Sequence, residues 1–434
     1  MAQIAPFRAF RYDPARVSPS TTVTQPYDKI SPAMQDRYYD ASPYNLVRIV
    51  LGKRQPSDNQ TDNPYTRAAG CFRDWRRDGI LKQDTEPSIY LYSQRFAVPG
   101  GPGQAERKGF IALGRVEDYS AGIVHRHEQT LAKPKADRLD LLRATCGHFG
   151  QIFMLYSDPG GAIDKILATG TAPDTEVRDE YGVDHTLWKI SDPAVIEEVK
   201  KRMAEKKLII ADGHHRYETA LNYRNERRQA AGGKGGADAA YEFVMMTFVN
   251  MDSPGLVILP THRVVHGLKE FISDDMRDGA KQYFRVQEID PEFDAAEAAI
   301  RLRDAGKDGT ALLAVTHNRA FLLDHPKSAG SPIFSGLSSR QQALDVVQLH
   351  KCLLEGVLGL SEESIRNQQN IGYVRDAGEA IGQVRRGAAD VAFLMNPAKM
   401  EQVRDIAFSG EVLPQKSTDF YPKLLSGLTV YALE

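Results

Sequence analysis

Cysteine is scarce: Cys71, Cys146 and Cys352 are the only three in 434 residues, widely spaced and never arranged as CxxC. That argues against a disulfide framework and predicts a reducing compartment. No uncharged apolar run of about 20 residues occurs, and residues 1–10 lack the charged-then-apolar order of an export signal. A soluble, cytoplasmic chain is expected, with no membrane partner. Charge of either sign in excess is also missing, since Lys+Arg 55 against Asp+Glu 57 gives a net charge of -2. No global field draws the chain to nucleic acid, and no basic reader helix is evident, so a nucleic-acid partner is not expected. Neither HExxH nor another zinc spacing is present, and no metal site is assigned. The Gly-rich stretch 229–237 lacks the Gly-Lys-Ser/Thr ending of a P-loop.

What is present is an ordinary globular composition, 42% hydrophobic and 26% charged, with length for two to three domains. The informative stretch is 208–221. Leu208-Ile209-Ile210-Ala211 reads as a buried strand, Asp212-Gly213 breaks it, and Tyr217, Ala220, Leu221 and Arg224 resume at helical spacing. With Asp212 as N-cap, the amides of Gly213, His214 and His215 fall in the first turn, at the positive end of the helix dipole. Such a turn attracts anions. Arg216 adds a forked donor matched to phosphate oxygens, and histidines titrate near neutrality, so phosphate chemistry is the first expectation.

Along the chain, Pro26-Tyr27-Asp28 and Pro32 predict a loop that holds its shape. Tyr44–Leu51 reads as a strand, 89–96 with 109–116 as a hairpin, and 151–158 as a buried strand. His125-Arg126-His127-Glu128 forms a second chemical cluster in which Glu128 is a candidate general base. Trp188 reads as a core residue, and Asp192-Pro193 opens a helix running to Lys207. Beyond the strand 256–259 come His262 and Arg263, which join the phosphate-site candidates because groups past strand ends converge on ligands in open α/β sheets. From Lys269 the pattern changes to a helix-and-hairpin module. It includes a helix over 345–358 and alternating strand and helix over 371–408. Near its end, the two lysines Lys416 and Lys423, with Ser417 and Thr418 between them, are candidates to clamp a second anion or cover the first. The expected division is therefore 1–268, carrying the Asp-Gly-His-His-Arg turn, and 269–434.

The string Ala211-Asp212-Gly213-His214-His215-Arg216-Tyr217-Glu218-Thr219-Ala220 resembles the signature of the domain-of-unknown-function family 1015. So do Pro26-Tyr27-Asp28, His127-Glu128-Gln129-Thr130, Leu187-Trp188, Pro260-Thr261-His262-Arg263 and the segment from Lys416 to Lys423. Asp419 stands where that family usually shows Tyr. The central turn also resembles, more distantly, the phosphate-binding motif of the ParB/sulfiredoxin superfamily, whose members include nucleotidases, free-serine kinases and partition proteins. The resemblance implies an α/β (α+β) fold, with a ParB/sulfiredoxin-like core and an additional C-terminal α+β module. It further implies ATP or ADP with Mg²⁺, and phosphoryl transfer to a small hydroxyl metabolite, in concrete form an amino-acid kinase such as a serine kinase. In that reading Gly213, His214, His215, Arg216, His262, Arg263, Lys416, Ser417 and Thr418 bind the nucleotide. Asp212 orients a hydroxyl or Mg²⁺, and Glu128, His214 and His215 join it in catalysis. The alternatives are a metal-dependent hydrolase using His125, His127, His214, His215 and Asp212, and a non-catalytic nucleotide-binding regulatory protein. The oligomeric state is left open.

Overall fold

The structure, a computed structural model, describes residues 2–101, 103–128, 132–232, 236–327 and 330–433. Gln129 and Thr130 of the quoted string, and Gly233, Lys234 and Gly235 of the Gly-rich loop, lie outside the described residues. The chain divides into two compact units. One comprises Met1–Arg126, Thr130–Val257 and Pro422–Glu434, and the other His127–Gln129 and Ile258–Tyr421. The first unit is thus discontinuous: the chain leaves it and returns at Pro422.

The first unit is built on a mixed sheet. Its strands are β1 (Ile4–Ala5), β2 (Ile89–Ala97), β3 (Gln104–Arg115), β4 (Val124–His125), β5 (Ile152–Tyr156), β6 (Thr175–Arg178), β7 (Asp184–Ile190), β8 (Leu208–Asp212) and β9 (Phe243–Asn250). Their order is β4-β8-β5-β9-β3-β2-β7-β6, with β1 on β3. β8 runs parallel to β4 and β5 parallel to β9, whereas β2 and β3 form the expected antiparallel hairpin. All five residues of β5 are buried, as its unbroken apolar run predicts for a strand covered on both faces. One face carries Phe110, Ile152, Met154, Ile210, Met246 and Phe248. It is covered by Leu167, Val199, Met203, Tyr217 and Ala220 from the helices α3 (Ala162–Leu167), α4 (Pro193–Met203) and α5 (His214–Ala230). Two further helices of this unit are α1 (Pro64–Arg77) and α2 (Ala132–Thr145). Trp188 is half-buried against the same core, and its indole N–H donates to the Thr171 carbonyl at 3.1 Å.

Two local expectations need correction. Tyr44–Leu51 is not a strand but leads into a short helix, Val47–Val50. Asn45 decides it: its side-chain oxygen accepts from the Val47 amide at 2.9 Å, and its NH₂ donates to the Thr21 carbonyl at 2.8 Å. Val47, Ile49 and Val50 are buried while Arg48 is half-buried, and four residues are too few to show a 3.6-residue alternation. The helix opened by Asp192 stops at Met203, leaving the charged Glu205-Lys206-Lys207 to the loop.

The second unit holds a six-stranded antiparallel sheet. Its strands are β10 (His262–Val265), β11 (Arg285–Ile289), β12 (Ala311–Val315), β13 (Ala320–Asp324), β14 (Ile371–Val374) and β15 (Val391–Met395), in the order β11-β13-β12-β15-β10-β14. β14 and β15 both run antiparallel to β10 between them, so they point the same way and the helix Ala377–Arg385 makes the crossover that the strand-helix alternation predicts. The helix expected over 345–358 is present as Asp345–Gln348, continued by wider π turns over Leu349–Val357.

Candidate functional site

The strand-turn-helix read from the sequence is there, with its polar groups aimed by a bulge. Ile210 pairs with Met154, but the residue opposite Phe153 is Asp212, not Ala211. The extra residue turns Asp212 onto the Phe153 face of the sheet, away from the apolar face that Ile210 shares with Met154. Asp212 is not the N-cap. Its Oδ1 accepts from the Gly213 amide at 2.8 Å, and Gly213, at φ +93°, caps α5 without any side-chain cap bond. The first-turn amides are therefore those of His214, His215 and Arg216. Glycine is needed here twice over. Its φ is unfavourable for residues with a Cβ, and a Cβ at this position would come within 3.1 Å of three guanidinium atoms of Arg216. Arg216 accordingly folds back beneath the turn, where it donates to the Gln151 carbonyl and lies 4.0 Å from Asp212 Oδ2. His214 is buried and His215 half-buried, with the His215 carbonyl accepting from Thr219 Oγ1 at 2.8 Å.

Around Asp212 the charges that act most strongly are cationic. Lys423, arriving from the returning C-terminal segment, places Nζ 3.3 Å from Asp212 Oδ2, with its side chain only 9% exposed. Burial on its own raises the Asp212 pKa, but Lys423, Arg216 and Lys29 outweigh it and hold the carboxyl far below the usual carboxylate range. Arg107, 1% exposed, lies on the same side of the sheet with its guanidinium 4.6 Å over the Phe153 ring. Burial pushes its pKa down to about 10, and Asp212 is among the groups that oppose that shift. Arg216 and Lys423 thus stand against one ionised carboxylate, and the charges of Lys29 and Arg107 act on it as well.

A lateral row across three strands holds Arg107 in place. His185 on β7, Gln94 on β2 and Arg107 on β3 are direct cross-strand neighbours. The His185 ring is buried and its pKa is lowered, chiefly by burial against the opposing pull of Asp179, so it is neutral at pH 7 with one N–H. Nε2 faces Asp179 Oδ2 at 3.2 Å, which assigns the proton there and leaves Nδ1 to accept from the Tyr92 hydroxyl at 2.6 Å. The Gln94 amide is oriented in turn: its NH₂ donates to the Lys423 carbonyl at 2.8 Å, and its oxygen accepts from Arg107 Nε at 3.1 Å. Gln94 thus fixes one cation by its side chain and another by its backbone.

Glu128, His262, Arg263, Lys416, Ser417 and Thr418 all belong to the second unit, where several of them meet. Glu128 accepts from the Lys416 amide at 2.8 Å, and Arg263 donates to the Lys416 carbonyl at 3.1 Å. His127 Nε2 and Thr418 Oγ1 are 2.8 Å apart, while the Ser417 hydroxyl donates to Pro414 O within its own turn. His262 and Arg263 follow the short strand Val257–Leu259, as expected, and also open strand β10. Arg263 is fully buried, and the His262 ring nitrogen accepts from the Met395 amide at 3.3 Å. Burial, reinforced by Arg263, pushes the His262 pKa down to about 4. Among the described residues no three His, Cys, Asp or Glu side chains are grouped to hold a metal ion, and no helix is long and apolar enough to cross a membrane.

The family described as "protein of unknown function (DUF1015)" matches residues 4–347. The chain belongs to that family. No curated protein matches this DUF1015 chain. Solved structures that resemble it include a free serine kinase mutant in complex with AMP, at 14% identity and a TM-score of 0.36, covering 70% of this chain and 89% of the kinase. A conserved hypothetical protein from Pyrococcus furiosus gives 14% and 0.36, covering 72% and 92%. C-terminally truncated SbnI from Staphylococcus aureus gives 12% and 0.34, covering 73% and 87%.

Lys29, Gln94, Arg107, Asp179 and His185 escaped the sequence reading, whereas Lys423 is one of the two lysines it named as an anion clamp. Arg107, Gln94 and His185 lie on separate strands, and only the register brings them together.

Proposed function

We propose that the first unit binds the phosphates of a nucleotide, ATP or ADP, at the turn from Asp212 to Arg216 and transfers a phosphoryl group to or from a small hydroxyl metabolite. An amino-acid kinase such as a serine kinase is its concrete form. The observation that carries this reading is a cation shell at a helix N-terminus: Arg216 and Lys423 stand against one ionised carboxylate, and the charges of Lys29 and Arg107 act on it as well. Phosphoryl transfer is mostly positioning and charge compensation, and a partly buried cation shell supplies both. Asp212 keeps the four cations from repelling one another before the phosphate arrives, and is placed to orient a hydroxyl. His215, half-buried on the same turn, is the group suited to move a proton. Gly213 and the amides of His214, His215 and Arg216 form the phosphate-facing backbone.

The turn does not suit Mg²⁺. The Asp212 oxygens are engaged by the Gly213 amide and Lys423, amid cations, so no step is routed through a metal. Glu128, His262, Arg263, Lys416, Ser417 and Thr418 are assigned no step. A ParB/sulfiredoxin-like core and a cytoplasmic location belong to the same proposal, which takes no weight from structural likenesses at TM-scores of 0.34–0.36.

The test is calorimetric titration and thermal shift with ADP, ATP and inorganic phosphate on wild type, Arg216→Ala and Lys423→Met. A ligand at a hundred times its Kd stabilises by about 2.7 kcal/mol. Binding to wild type that is lost in both folded variants supports the site, and unchanged binding in Arg216→Ala overturns it. Phosphorus NMR of ATP incubated with hydroxyl amino acids then reads turnover, whose absence despite binding favours the non-catalytic nucleotide-binding reading.

A further inference from the structure

A pocket opens in the first unit beside Arg216. Val50, Leu141, Leu142, Phe149 and Val244 give it apolar walls, and Tyr27 and Arg138 stand among its lining groups. The Arg138 guanidinium lies 4.1 Å from the Tyr27 ring centroid, so its planar fork is stacked. Its charge is already answered: Nε donates to Asp137 Oδ2 at 2.8 Å and NH1 to the Val50 carbonyl at 2.6 Å. His148, also at the pocket, is held neutral at pH 7 by burial, which pushes its pKa down to about 4. The remaining polar groups are the hydroxyls of Thr219 and Ser426.

This pocket therefore asks for an uncharged, largely flat and apolar body, with hydroxyls at its edge and an anion at the end where Arg216 stands. A polar amino acid with its own ammonium and carboxylate does not meet that description, but a nucleoside does. Arg216 is the connection, because it lines the pocket and also lies under the Asp212–Gly213 turn. We infer that the pocket takes the base and sugar of the nucleotide whose phosphates the cation shell holds, with Arg216 at the joint between the two. The inference rests on the phosphate site proposed above.

Calorimetry with two probes separates the two ideas: ADP, and inorganic diphosphate, which carries the phosphates without a nucleoside. Leu142→Trp and Val50→Phe each fill the pocket without touching the cation shell, and tryptophan fluorescence melts check that each folds. Both variants are expected to weaken ADP by at least about tenfold, or roughly 1.4 kcal/mol, and to leave diphosphate within about twofold. Arg216→Ala is expected to weaken both probes. ADP affinity unchanged in a folded pocket variant overturns the inference while leaving the phosphate site standing. So does a wild type that binds ADP no better than diphosphate. A wild type that binds neither probe fails the parent reading and this one with it.

Discussion

Gly213 offers the sharpest handle on the turn, because two separable costs attach to a side chain there. At φ +93° a Cβ meets the backbone penalty of the left-handed region, about 1–2 kcal/mol. The same Cβ would stand 3.1 Å from three atoms of the Arg216 guanidinium, which must give by some tenths of an ångström. If that shift loses the bond to the Gln151 carbonyl, a hydrogen bond from a charged donor worth about 1.5–3 kcal/mol goes with it. With both costs, Gly213→Ala is expected to destabilise the first unit by about 2.5–5 kcal/mol. Gly213→Asn brings the same Cβ but tolerates the left-handed region better, and should recover about 1 kcal/mol of that loss. Phosphate or ADP binding should be weakened in both alike, since both displace Arg216. The assay is urea denaturation followed by tryptophan fluorescence. Trp75 and Trp188, the only tryptophans, both lie in the first unit, so the signal reports on that unit alone. An alanine variant as stable as wild type and equal to it in anion affinity would refute the reasoning.

Three further outcomes are expected. Asp212→Asn, by breaking a mostly buried ion pair with Lys423, should destabilise the first unit by about 3 kcal/mol in anion-free buffer and tighten sulfate binding. Because the folded pKa of Asp212 lies below its unfolded value, this contribution is present above about pH 4 and is lost as pH falls toward the folded value, so the comparison belongs at pH 7. Equal stability in the two proteins would count against it. Gln94→Leu should weaken sulfate about tenfold, or roughly 1.4 kcal/mol, by removing the acceptor that aims Arg107; undiminished affinity would mean that Arg107 takes no part. In the second unit, burial pushes Asp345 up to about 6 despite hydrogen bonds from Thr310 and Ala311. A carboxyl raised on folding adds stability below its unfolded pKa and loses it as pH climbs through 6. Asp345→Asn should therefore flatten a decline of at most about 2 kcal/mol between pH 4 and pH 7, measured by far-ultraviolet circular dichroism, and a wild-type curve without that decline would sink the idea.

Strand, turn and helix at 208–221 were legible because each carries its own local pattern, and the hairpin of β2 and β3 for the same reason. The bulge that aims Asp212 was not, since an extra residue leaves no mark in an apolar run. Asp212 itself was misread as the cap: a Gly in the left-handed region closes the helix, so the carboxylate was left for the cations. The helix at Val47–Val50 was taken for a strand because a single turn is too short to show a helical period. Arg107, Gln94 and His185 are invisible along the chain, since a polar row across a sheet is a property of register. His262 and Arg263 do lie past a strand end, but the chain starts another strand with them at once, which buries both.

The return of the chain at Pro422 has a kinetic meaning. Asp212 and Lys423 lie on either side of the second unit in sequence, so a ribosome must emit nearly all of that unit before the last of the four cations is available. Until then Asp212 lacks its nearest ammonium, and the anion hold is incomplete however well the rest of the first sheet has formed. A nascent chain stalled before Pro422 should therefore let phosphate go.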